Sequence, residues 1–149
     1  MAYVYPTYRM NSNNAFGPTD QGYLYQPAPY HNRTAASNNH KNKWCIRQNA
    51  QYEVFRVCSD YRDQNNFLRS WHCTSLNALI SILDNGKEIF GNLDERLAIF
   101  RVPVNPTDYW HGYPFQSADY DISEALLDYW EKNNIIDSRI RRKIAKGEL

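Results

Sequence analysis

The chain has 149 residues, 42% of them apolar and 22% charged, with a formal net charge of +1. That length predicts one domain with a core of its own, and the near-neutral balance gives no polyanion-binding surface by bulk charge. Membrane, collagenous, disulfide-scaffold and strongly basic classes are excluded. No apolar run nears the roughly 18 residues of a membrane span, and the start Met1-Ala2-Tyr3-Val4-Tyr5-Pro6 lacks signal-peptide features. Cys45, Cys58 and Cys73 show no C-x-x-C spacing, which predicts reduced thiols in a cytoplasmic compartment.

Residues 1–42 are tyrosine-rich, with Tyr3, Tyr5, Tyr8, Tyr23, Tyr25 and Tyr30 beside Pro6, Pro18, Pro27 and Pro29. The prolines and the turn formers Asn13-Asn14 and Gly17-Pro18 interrupt any helix or strand. The expectation is an extended or flexible arm that packs on the domain, on a partner or on a second subunit, followed by a single domain over 43–149.

Within that domain, Tyr52 to Cys58 is β-branched and aromatic and predicts a strand, with a short second strand over Phe67 to His72. Leu76, Leu79, Ile80 and Leu83 then recur at i, i+3, i+4 and i+7 and predict an amphipathic helix over about 75–85. Thr74 or Ser75 would cap it and Gly86 would stop it. Leu97 to Val104 reads as a strand, placed at an edge or ending at Pro103. Tyr109 to Ser117 reads as an aromatic packed loop. Asp121-Ile122-Ser123-Glu124 resembles a capping box before a helix with Ile122, Leu126, Tyr129 and Trp130 on one face. Asp137 would cap a last helix with Ile140 and Ile144 inward and Arg139, Arg141, Arg142, Lys143 and Lys146 around them. That basic face is solvated or contacts nucleic acid or an acidic partner. The predicted class is α+β: a small mixed sheet, one helix between strands, two C-terminal helices and a Tyr-rich extended N-terminal arm.

The sharpest local chemistry is Trp71-His72-Cys73-Thr74-Ser75-Leu76. In a strand, His72 and Thr74 point to the same side, and a helix N-terminus directly after them would favour an anion. A ribose hydroxyl and a pyrophosphate could share such a corner. The structural alternative is a buried, hydrogen-bonded His72 above a helix cap.

The run from His72 to Asn92 resembles a family of bacterial and phage proteins that opens with His-Tyr-Thr-Ser-Leu, continues with a helix and a Gly turn, and reaches an Asn. That pattern is similar in turn to the first NAD-binding motif of ADP-ribosyltransferases, including a DNA-targeting toxin branch. The resemblance implies that His72 binds the nicotinamide ribose with support from Thr74 and Ser75. It also implies NAD as cofactor and a catalytic carboxylate at Asp94 or Glu95, Glu95 being preferred. Tyr113, from the aromatic loop, would stack on the nicotinamide. The implied activity is a transferase acting as a toxin, an effector or a phage modifier of a host protein or nucleic acid.

Two other readings rest on the residues alone. Tyr and Trp are favoured at interface hot spots, so the aromatic arm and the Trp110 to Phe115 loop could make a non-enzymatic protein-binding module. Alternatively, His111 could meet His72 as the acid–base pair of a small metal-independent ribonuclease. The cysteines and histidines never fall at metal-ligand spacings, so no metal is expected.

Overall fold

The apolar run from Ala78 to Leu83 lies fully inside the computed structural model, which describes residues 3–28, 42–61 and 70–149. The elements in chain order are α1 (Gln48–Asp60), β1 (His72–Cys73), β2 (Ala78–Ser81), β3 (Leu97–Arg101), β4 (Gly112–Phe115), α2 (Glu124–Lys132) and α3 (Ser138–Ala145). The strands form one sheet in the order β1-β2-β3-β4, and every neighbouring pair is antiparallel. The class is therefore α+β. The sheet is wholly antiparallel where a mixed one is expected from the sequence.

Residues opposed across an antiparallel pair share a face. One face carries Ser81, Ala98 and Phe100, and α1 covers it. The Ser81 hydroxyl donates to the Val54 carbonyl at 2.8 Å, and the Phe100 ring lies 5.0 Å from that of Phe55. The other face carries Ile80, Ile99 and Tyr113. On the same side Phe115 packs edge-on against Tyr120, just before α2. Trp71, before β1, packs edge-on against Trp130 of α2 at 5.6 Å.

Two element assignments are corrected. The helix expected over 75–85 is instead a turn, Thr74–Leu76, followed by β2. All four residues of β2 are buried because the strand is covered on both faces. A doubly covered strand loses its polar alternation and reads as an unbroken apolar run, which chance spacing turned into a helical pattern. Asn77, in the left-handed region at φ 48°, makes the turn that feeds β2 back along β1. Conversely, the strand expected over Tyr52 to Cys58 is part of α1. Its β-branched and aromatic residues suit a helix enclosed on nearly all sides, where packing overrides propensity. The aromatic loop contains β4, and the N-cap of α2 is Ser123, whose side chain accepts from the Leu126 amide. As expected, α3 is capped by Asp137 and buries Ile140 and Ile144. The Phe67–Arg69 part of the expected second strand lies outside the described residues.

Residues 3–28 wrap α1. Phe16 and Tyr25 exchange backbone hydrogen bonds at 2.8 and 2.9 Å to close a hairpin, and both are buried in the core. Tyr25 also bridges to Trp110 in parallel. The hydroxyls of Tyr3 and Tyr8 donate to the buried Glu53 carboxylate, which Arg56 also pairs at 2.8 Å. Residues 29–41 of the expected arm lie outside the described residues.

Candidate functional site

Proline lacks the N–H that a ladder needs, so β3 ends at Arg101, two residues before Pro103. The chain returns at Gly112, where a side chain is impossible. An added Cβ would overlap the Phe100 ring and sit 2.7 Å from the Ile99 carbonyl. Between these points the chain encloses a cleft of about 580 Å³, within the size range of small-ligand sites. Val102, Pro103 and Val104 give it an apolar wall, while Tyr109, His111 and Tyr113 give it rings. Val104 is fully exposed.

Arg101 is the cleft's cation. Its guanidinium donates to the Leu76 carbonyl at 3.1 Å and lies 5.3 Å from the centroid of the Tyr120 ring. Hydrogen bonding to the Tyr113 and then the Tyr120 hydroxyl raises its pKa further above the ordinary value. Those two hydroxyls are themselves 2.8 Å apart. Burial first, and then the Tyr120 hydroxyl, push the Tyr113 phenol up. Among the described residues Arg101 forms no ion pair, although Asp108 lines the same cleft. His111 Nδ1 is 2.6 Å from the Gln26 carbonyl. A carbonyl only accepts, so Nδ1–H is the donor of this bond.

The sequence-predicted residues divide between several places. His111 and Tyr113 come together in this cleft. His72, Thr74 and Ser75 are exposed on the far edge strand and the turn after it. The register His72–Leu79–Phe100–Gly112 puts His72 three strands from His111, about 14 Å of backbone. The two histidines do not form an acid–base pair.

Glu95 is elsewhere again. It is fully buried before the start of β3, whereas His72 registers near the other end of that strand, at Phe100. Its carboxylate accepts from the Asn42 amide at 3.0 Å and the Leu93 amide at 2.7 Å. Two backbone donors thus occupy the oxygens a reaction would need. Asp94 is exposed and lines a different cavity. Among the described residues no three metal-ligating side chains converge, and no helix is long and apolar enough to cross a membrane.

Sequence reasoning missed Arg101 and Val104. The available signal was an otherwise apolar strand ending in a cation and then a proline. The chain matches no family model, no curated protein and no solved structure.

Proposed function

We propose that the protein is a binding module whose cleft around Arg101 takes an acidic segment of a protein partner. One observation carries this reading. Arg101 sits in an aromatic and apolar cleft without a carboxylate partner among the described residues. A guanidinium held by tyrosine hydroxyls and a carbonyl has its orientation set, and its remaining N–H groups can form charge-assisted bonds with a carboxylate. Val104 offers exposed apolar surface beside it. Among the described arm residues, Tyr3 and Tyr8 are engaged by Glu53 and Tyr25 by Phe55, so the contact surface of this reading is the loop. Cys45, Cys58 and Cys73 remain thiols, which fits a cytoplasmic setting.

The transferase reading asks His72, Tyr113 and Glu95 to share one cavity, and their separate placement gives it less support. A selection of random displayed peptides, with an NAD thermal-shift titration beside it, separates the two. The binding-module reading expects enriched peptides to share Asp or Glu flanked by apolar residues. Their affinity should fall about tenfold or more in Arg101→Ala, as for loss of a charged hydrogen bond, and NAD should leave the melting midpoint unchanged. Peptides without an acidic consensus would overturn it. So would an NAD-induced rise in midpoint that His72→Ala abolishes.

A further inference from the structure

A second cavity, of about 500 Å³, lies between the turn Asp84–Gly86 and α3 and shares no lining residue with that cleft. Its side-chain charge is strongly one-sided. Lys87, Arg96, Arg139 and Lys143 line it, against the carboxylates of Asp94 and Glu148. Among the described residues none of the four cations forms an ion pair. Four like charges brought to one concavity repel one another, and nothing in the packing of α3 requires it, because Arg139 and Lys143 are exposed.

The walls are fixed before anything binds. Asn85 donates to the Asp137 carboxylate and accepts from its amide, both at 2.9 Å, which ties the turn to the cap of α3. Arg96 donates to the Gly86 carbonyl at 2.8 Å, so its guanidinium is already oriented at the cavity wall. Gln116 donates to the Leu93 carbonyl at 3.1 Å and ties the loop before β3 to the end of β4. Three consecutive residues, Asp84, Asn85 and Gly86, hold positive φ values of 52°, 54° and 77°, and Asp94 holds 60°. Asp and Asn adopt that conformation more readily than other non-glycine residues, because their short polar side chains can bond locally.

We infer that this cavity binds a hydroxyl-bearing organic phosphate of the sugar-phosphate class. The cations supply charge-assisted bonds to phosphate oxygens, and the two carboxylates can only accept, which suits sugar hydroxyls. Among the described residues no aromatic side chain lines the cavity, so they offer a nucleobase nothing to stack on, unlike single-strand nucleic-acid sites. This inference is independent of the Arg101 cleft.

Calorimetric titration of the whole chain with inorganic pyrophosphate and with fructose 1,6-bisphosphate tests it. Both probes should bind saturably at one site, and unphosphorylated fructose should not. The double variant Arg139→Gln/Lys143→Gln should bind about tenfold or more weakly, the scale of charged hydrogen bonds. Arg142→Gln, which neutralises an exposed cation of α3 outside the cavity, should remain within about twofold, as should Arg101→Ala. Absence of saturable binding by either phosphate overturns the inference. Equal weakening in Arg142→Gln also overturns it, since that marks diffuse surface attraction. Tighter binding of an oligothymidylate than of either small phosphate would assign the charge to nucleic acid and overturn it as well. Circular dichroism of each variant confirms that the comparison is between folded proteins.

Discussion

Glu95→Ala separates a structural carboxylate from a catalytic one. In the folded chain this side chain accepts the Asn42 and Leu93 amides, and its own carbonyl accepts the Phe90 amide at 2.7 Å. It thereby joins the segment before α1 to the turn before β3. Alanine leaves both amides without their acceptor at a fully buried side-chain position, although the two hydrogen bonds are themselves part-buried. Each unsatisfied donor costs about 1–3 kcal/mol, so the pair costs about 2–6 kcal/mol before any cavity left by the missing side chain is counted. For a domain of this size each kcal/mol lowers the melting midpoint by about 3–4 °C, giving a fall of at least about 6 °C. Thermal and urea melts followed by circular dichroism measure it, and the urea midpoint should fall with little change in slope. Glu95→Gln keeps one carbonyl acceptor but must turn its amide toward the other N–H, and should fall between. A midpoint for Glu95→Ala within about 2 °C of the parent would refute this account, because exposed or purely functional positions show changes of that size.

Two further outcomes follow from other parts of the fold. Because Asn77 sits at φ 48°, Asn77→Gly should leave stability unchanged or slightly raised, whereas Asn77→Ala should cost about 1 kcal/mol; a helix here would reverse the order, and urea midpoints decide. Burial raises the Glu53 carboxyl, but Arg56, Tyr3 and Tyr8 outweigh it and hold the pKa below its ordinary value. A depressed carboxylate stabilises the fold fully above its unfolded pKa, about 4.3, and that stabilisation is lost as the pH falls through the folded value. Melting midpoints between about pH 6 and about pH 3 should therefore decline less steeply in Glu53→Gln than in the parent, and identical slopes would exclude Glu53 as a source of the decline.

The sequence was most legible where a local signal and the tertiary environment agree. The Asp137 cap and the Ile140/Ile144 stripe make α3 a one-sided surface helix, and its pattern survives intact. Pattern failed where burial is two-sided: β2 is enclosed on both faces, and α1 buries Gln51, Glu53 and Ser59 beside its apolar residues, so polarity does not mark its outer side. For the site, His111 and Tyr113 were identifiable as chemistry near a turn. Arg101 joins them only through the pairing of β3 with β4, and the capture of the Asn42 amide by Glu95 is not legible because the two lie 53 residues apart. Long-range backbone capture by a carboxylate leaves no spacing to read.

The bridge between Tyr25 and Trp110 imposes an order on synthesis. Leu24 and Gln26 exchange backbone bonds with Trp110 at 2.8 and 2.9 Å, so this edge of the 16–25 hairpin has no partner until a segment some 85 positions later has emerged. Until then that edge stays open to solvent, at the stage when nascent chains are most exposed to wrong contacts. When Gln26 finally seats, its carbonyl accepts a hydrogen bond from His111 Nδ1 and fixes that ring at the cleft's edge. The Arg101 cleft is thus completed by a segment some 85 positions upstream of it, and a ligand that needs His111 oriented can bind only to molecules in which those two segments have already met.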